Sequence, residues 1–259
     1  MDTVQVDPIA EGLECVYARP ADTLTETRLH YCPGCGHGVV HRVLMEIVEE
    51  LGIQEQTIGV APVGCSVFAY HYMNIDMQEA AHGRASAVAT AVKRLHPDRY
   101  VFSYQGDGDL AAIGTAETIH TANRGENILM VFINNAIYGM TGGQMAPTTL
   151  LGMKTSTSPG GRTIETSGYP LKISEMVALL PGVAYVTRQS VHTPNAVRHL
   201  KKALLTAFRY QKEKKGTCLV EVVSNCPSGW KMTPVEANEW LEKNMFPLYP
   251  PGDIKVPHS

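Results

Sequence analysis

The chain has 259 residues, 44% of them hydrophobic and 18% charged, with a formal net charge of -3. That balance describes a globular chain able to bury one substantial core, and its bases form no long run of the kind that marks nucleic-acid or anionic-membrane binding. No stretch reaches the roughly eighteen apolar residues of a membrane span, and residues 1–10 carry acids where a secretory signal would carry bases, so the sequence predicts a cytoplasmic location. Thiols stay reduced there, and the six cysteines point to metal binding or chemistry rather than to disulfides.

In chain order, residues 1–30 lack sustained apolar periodicity and contain Pro8 and Pro20; they read as an arm lying on this subunit or on a neighbour. From Gly38 onward, Val39, Val40, Val43, Leu44, Ile47, Val48 and Leu51 recur at helical spacing, and Gly52 ends the pattern where a C-terminal cap belongs. Short apolar, β-branched segments follow at 57–63, 100–104, 128–134, 183–187 and 218–223. Helical patterns at 84–95, 110–123, 173–180 and 195–212 lie between them. Such alternation predicts an α/β fold, a doubly wound, mostly parallel sheet flanked by helices, with ligands bound beyond the carboxyl ends of the strands. The Gly-, Thr-, Ser- and Pro-rich segment 139–170 is too long for a plain connector and reads as an active-site loop. Residues 31–228 form the expected binding domain. Residues 229–259 form a tail with one short helical pattern, 235–243, and a Pro-rich end.

The first chemical motif is Gly106-Asp107-Gly108-Asp109, which follows a strand and leads into a helix. Glycines there let backbone N–H groups approach phosphate oxygens, and an aspartate can hold magnesium, a hard cation that favours oxygen ligands. Alone, the motif is equally a tight turn. The end of the next strand carries Asn134 and Asn135, so two adjacent strand ends present oxygen ligands. Gly-Asp-Gly followed at this spacing by Asn-Asn resembles the thiamine-diphosphate-binding motif. The resemblance implies Asp107, Asn135 and the backbone carbonyl of Ile137 as magnesium ligands.

The second motif is Cys32-Pro33-Gly34-Cys35-Gly36-His37. A Cys-x-x-Cys pair serves redox chemistry, zinc or iron-sulfur binding, and by itself settles none of them. Cys65 and Cys226 both lie at or just past the carboxyl ends of strands, whereas Cys15 and Cys218 read as structural. Four thiolates at one sheet edge suit either zinc or a 4Fe-4S cluster.

The ordered set Cys-Pro-Gly-Cys-Gly-His, Gly64-Cys65-Ser66, His82-Gly83-Arg84-Ala85, Gly-Asp-Gly-Asp, Asn135 through Tyr138-Gly139-Met140-Thr141 to Gln144, and the late Cys226-Pro227 resembles the beta subunit of 2-oxoacid:ferredoxin oxidoreductases. It runs from about Tyr31 to Trp230. The resemblance implies thiamine diphosphate, Mg2+ and a 4Fe-4S cluster on Cys32, Cys35, Cys65 and Cys226. It also implies oxidative decarboxylation of a 2-oxoacid, with electrons passing through the cluster to ferredoxin and the acyl group to coenzyme A. Cys65, Ser66, His82 and Arg84 are then the candidate catalytic residues. Gly64, Gly83, Gly106, Gly108, Asp109, Tyr138, Gly139, Met140 and Thr141 are candidate cofactor contacts.

Thiamine enzymes activate the aminopyrimidine with a Glu on a separate pyrimidine-binding domain, and this chain is too short for both domains. An alpha, pyrimidine-domain subunit is therefore expected as partner, with gamma and delta subunits as further candidates. The aromatic, apolar stretch Val67 to Tyr72 favours 2-oxoisovalerate or a similar branched 2-oxoacid. The same chemistry on 2-oxoglutarate or pyruvate, a thiamine enzyme without a cluster, and a zinc-stabilised α/β scaffold are the alternatives.

Overall fold

The computed structural model describes residues 19–257; Cys15 lies outside them. The elements in chain order are α1 (His37–Glu50), β1 (Thr57–Ala61), α2 (Ala69–Tyr72), β2 (Asp76–Glu79), α3 (Ala85–Leu95), β3 (Tyr100–Gly106), α4 (Thr115–Asn123), β4 (Leu129–Asn134), β5 (Ile137–Tyr138) and β6 (Gln144–Met145). They continue with α5 (Ile164–Ser167), α6 (Ile173–Ala178), β7 (Val183–Ser190), α7 (Pro194–Lys212), β8 (Thr217–Val223), α8 (Pro227–Trp230), α9 (Pro234–Trp240) and β9 (Gly252–Lys255).

Seven strands form one sheet in the order β2-β1-β3-β4-β8-β7-β9, parallel except for β9, while β5 and β6 form a small hairpin. The five apolar segments of the sequence are the five central strands. Because strand side chains alternate faces, β4 sends Leu129, Val131 and Ile133 into a core with α1 and α7, and Met130 and Phe132 into a second core with α3, α4 and α6. Both faces are covered, as a parallel sheet requires.

Two edge strands carry no apolar run. β2 reads Asp-Met-Gln-Glu and is held by its backbone register with β1. β9 pairs antiparallel with β7, so the Pro-rich end of the tail closes a sheet edge. The rest of the tail packs Trp230, Ala237, Leu241, Met245 and Tyr249 against Ala136, Ile137 and Val223, a third core directly under the strand ends. Residues 19–30 rest on α1, where the Glu49 carboxylate accepts the backbone N–H groups of Ala21, Asp22 and Thr23. The helical pattern 110–123 is interrupted at Gly114: one π-helical turn, Asp109–Ile113, precedes α4. Such turns recur at functional sites.

Candidate cofactor site and cysteine cage

β3 and β4 are parallel neighbours with Gly106 opposite Ile133, so Asp107 and Asn135 leave the sheet side by side. The Asn135 side-chain amide ends 2.6 Å from the Ile137 carbonyl oxygen and 3.2 Å from Asp107 Oδ2. Side-chain oxygen, carbonyl and carboxylate thus converge from three residues on one point. Asp107 is buried and takes hydrogen bonds from the Thr148 hydroxyl (3.0 Å) and the Gly108 N–H (2.9 Å), with no cationic side chain beside it. Burial therefore lifts its carboxyl to about 7. An all-oxygen set around an uncompensated buried carboxylate fits a small hard cation.

Neighbouring residues are engaged differently. Asn134 donates to Glu221 at 2.7 Å and accepts the Ala136 N–H at 3.2 Å, which holds Ala136 at a φ of 58°. Glu221 is in turn paired with buried Arg188 (2.8 Å), itself paired with Glu175 (2.8 Å). The first Asn therefore shapes the turn and the second faces the cation point. Asp109 turns its carboxylate onto His82 Nδ1 (2.7 Å), the Gly83 N–H (2.6 Å) and Gln105 (2.7 Å), fixing the 82–84 loop. Arg84 pairs with Glu117 at 2.8 Å and is absent from the cleft wall.

The cleft itself measures about 430 Å³. Its wall gathers Gly64, Cys65, Ser66, His82, Gly106, Asp107, Gly108, Asp109, Asn135, Ile137, Tyr138, Gly139, Met140 and Thr141, together with His37, Val63, Val67, Ala112 and Ile113. Gly83 lies just outside, where a Cβ would strike the backbone of Gly114 at 2.7 Å. Exposed Val63, Ile113 and Met140 give the cleft an apolar rim. Among the described residues, no Lys, Arg or Glu belongs to the wall.

Beside the cleft, the four motif cysteines converge. A Cβ on Gly139 would crowd Cys226 Sγ at 3.1 Å and touch Cys65 Sγ at 3.7 Å, so both sulfurs lie close to this glycine. The Cys32–Cys35 turn is tied to them by Asn225, which accepts the Gly36 N–H (2.9 Å) and donates to the Gly34 carbonyl (3.1 Å). Each cysteine lies within electrostatic reach of the other three. Burial pushes the thiols of Cys65 and Cys226 up to about 12 and raises that of Cys35. The backbone N–H groups of His37, Met140 and Gly229 oppose this by donating to Cys35, Cys65 and Cys226 respectively. Three buried or half-buried, amide-solvated sulfurs, with Cys32 exposed at the edge of the set, suit a positively charged inorganic core. Among the described residues, no three His, Cys, Asp or Glu side chains close tightly around a single ion. Cys218 is buried beneath α7, and burial raises its thiol to about 12.

Beneath the cage sits a stack of aromatic rings that the sequence did not disclose. His37 Nδ1 lies 2.8 Å from the Tyr104 hydroxyl, Tyr31 stacks on His37 at 4.8 Å, and the Tyr31 hydroxyl lies 2.7 Å from His41 Nε2. Burial lowers His37 to about 3 and His41 well below the usual histidine range, so both rings are neutral. Also unsignalled is Arg162, whose guanidinium donates to six carbonyls, those of Ala146, Pro147, Thr149, Ser167, Gly168 and Tyr169. It folds the long loop so that Thr148 reaches Asp107. Only a burial pattern, invisible in a polar loop sequence, marks that arginine as structural.

A parallel sheet whose adjacent strand ends present Gly106-Asp107-Gly108 and Asn135 to one cleft defines a thiamine-diphosphate-binding chain. Residues 62–222 match the family "Thiamine pyrophosphate enzyme, C-terminal TPP binding domain". The chain belongs to that family and, within it, to the 2-oxoacid:ferredoxin oxidoreductase subunits. The 2-oxoglutarate synthase subunit KorB of Methanocaldococcus jannaschii is 37% identical over 231 residues, 86% of this chain and 81% of the relative. The ketoisovalerate oxidoreductase subunit VorA of Methanothermobacter marburgensis is 46% identical over 224 residues, 86% of this chain and 47% of the relative. The chain thus spans about half the length of the VorA relatives it matches. Among solved structures, the 2-oxoglutarate:ferredoxin oxidoreductase from Magnetococcus marinus with 2-oxoglutarate, coenzyme A and succinyl-CoA bound superposes with a TM-score of 0.71 at 30% identity, covering 82% of this chain and 69% of that one. No helix among the described residues is long and apolar enough to cross a membrane.

Proposed function

We propose that this chain is the thiamine-diphosphate- and cluster-bearing subunit of an enzyme that oxidatively decarboxylates a branched 2-oxoacid, 2-oxoisovalerate or a close analogue. The products are the acyl-CoA, carbon dioxide and reduced ferredoxin. One observation carries the reading: Cys65 belongs at once to the wall of the cleft and to the four-cysteine cage, so a group bound in the cleft sits against whatever the cage holds. When bound, thiamine diphosphate would supply the electron sink that decarboxylation of a 2-oxoacid requires. Asp107, Asn135 and the Ile137 carbonyl would hold Mg2+, with Gly106, Gly108 and the 138–141 loop beside the diphosphate. Cys32, Cys35, Cys65 and Cys226 would hold a 4Fe-4S cluster, a one-electron acceptor.

The branched substrate follows from the wall. Val63, Val67, Ile113 and Met140 supply apolar surface, and no Lys or Arg stands there to pair a second carboxylate, whose burial unpaired is costly. Identity of 46% to ketoisovalerate oxidoreductase subunits agrees. Among the described residues the wall holds no Glu, which agrees with an aminopyrimidine-activating carboxylate supplied by another domain or subunit that covers the apolar rim. The test is anaerobic purification of the assembled enzyme. Expected are iron and acid-labile sulfide, a broad absorbance at about 400 nm, stoichiometric thiamine diphosphate, and coenzyme A-dependent ferredoxin reduction that prefers 2-oxoisovalerate to 2-oxoglutarate. Zinc in place of iron, or no bound thiamine, overturns the reading.

A further inference from the structure

We propose that His37 binds the 2-oxoacid itself, donating a hydrogen bond from its Nε2–H to an oxygen of the 2-oxo-carboxylate head, and that Tyr104 is the positioning residue that fixes this tautomer. The inference rests on the reading of the cleft as a 2-oxoacid site and assigns it a further binding group.

His37 opens α1 immediately after the first cysteine pair, and only 2% of it is exposed. It nonetheless belongs to the wall of the cleft, together with Cys65, Ser66 and Asp107. Its Nδ1 is taken by the Tyr104 hydroxyl at 2.8 Å. Tyr104 lies on β3 with no exposed surface, and its hydroxyl has no other hydrogen-bond partner among the described residues. The phenol hydrogen therefore points at Nδ1, since any other direction leaves it buried and unsatisfied. Two hydrogens cannot share that line, so the imidazole carries its own on Nε2.

The ring cannot turn over to exchange its nitrogens. Tyr31 stacks on it at 4.8 Å with the planes 6° apart, and Tyr31 is itself held through its hydroxyl by His41 Nε2 at 2.7 Å. The outcome is one fixed N–H donor in a wall that also carries Val63, Ser66 and Val67 and, among the described residues, no Lys or Arg. A neutral donor suits a carbonyl or carboxylate oxygen of the substrate head and adds no charge against the apolar side chain.

The assembled holoenzyme tests this with three variants. His37→Leu removes the donor, His37→Gln keeps an amide N–H near the place of Nε2, and Tyr104→Phe deletes only the hydroxyl that sets the tautomer. The readouts are KM and kcat for 2-oxoisovalerate, the calorimetric Kd for 2-hydroxyisovalerate, which cannot be decarboxylated, and iron and thiamine content. Expected is a rise of about tenfold or more in KM and analogue Kd for His37→Leu, the loss of one hydrogen bond to a charged acceptor, with cofactor content unchanged. His37→Gln recovers most of that loss, and Tyr104→Phe falls between. Unchanged analogue affinity in His37→Leu, or equal impairment in His37→Gln, overturns the proposal. If His37→Leu does not fold, Tyr104→Phe decides, and wild-type analogue affinity in it overturns the proposal. A fully loaded wild-type enzyme that binds and oxidises no 2-oxoacid overturns the functional reading as well, a result distinct from the others.

Discussion

Trp230 donates its indole N–H to the Asn135 carbonyl oxygen at 3.1 Å, from a buried position against Trp240, 4.6 Å away between ring centroids. The two tryptophans of the chain thus report on the residue proposed to hold the cation. Adding Mg2+ and thiamine diphosphate together to apo-enzyme should change the tryptophan emission saturably. Asp107→Ala should remove the response while leaving the emission of the apo-protein as it was.

Proton and cation compete for Asp107. Its carboxyl is lifted to about 7 by burial when no metal is bound, so the metal-free folded state holds a proton there that the unfolded chain, at the usual carboxylate value, has released. Below pH 7 magnesium must displace that proton, and its affinity should fall by up to about tenfold per pH unit. Above pH 8 the affinity should be flat. Fluorescence titrations at pH 6, 7 and 8 check the sign; affinity independent of pH would show that Asp107 is not a ligand.

Gly139→Ala places a methyl group where the sulfurs of Cys226 and Cys65 approach, at 3.1 and 3.7 Å. Contacts of that kind force one thiolate aside. The variant should fold, because the nearest atoms are side-chain sulfurs rather than backbone, and yet should retain less than about half the iron of the parent after anaerobic purification. Iron and sulfide analysis gives the answer directly.

Arg162→Met removes the guanidinium from six loop carbonyls, of which Ala146 and Pro147 keep a backbone N–H donor. Some will rehydrate, so the cost should be about 2–4 kcal/mol rather than the sum of six bonds. Since the same loop carries Thr148 to Asp107, affinity for Mg2+ with thiamine diphosphate should drop too. Urea unfolding and the tryptophan titration separate the two effects.

Periodicity and composition sufficed for the central strands and their crossover helices, because a strand buried on both faces must be apolar throughout and a covering helix must carry one apolar stripe. The same local logic placed Gly106 to Asp109, Asn134-Asn135, Cys65 and Cys226 at strand ends, and Cys32 and Cys35 in the turn before α1. It could not tell Asn134 from Asn135: adjacent residues of one type point to opposite sides of the chain, and only the packing shows that one meets Glu221 and the other Asp107. Nor could it reach Asn225 or Thr148, whose partners lie in distant segments, or Arg162, whose partners come together only when its loop folds. Asp109, a candidate cofactor contact by motif, places its carboxylate on His82, Gly83 and Gln105.

The chain's order of residues thus determined the layered sheet, the chemical kinds of group delivered to its edge and the family those groups resemble. Tertiary structure alone decided which sulfurs share Gly139, which oxygens face one cation and which histidine is held rigid against the cleft. Such choices depend on contacts between segments up to about two hundred residues apart, as between Gly34 and Asn225, and no local pattern encodes a distance that only closure of the whole fold sets.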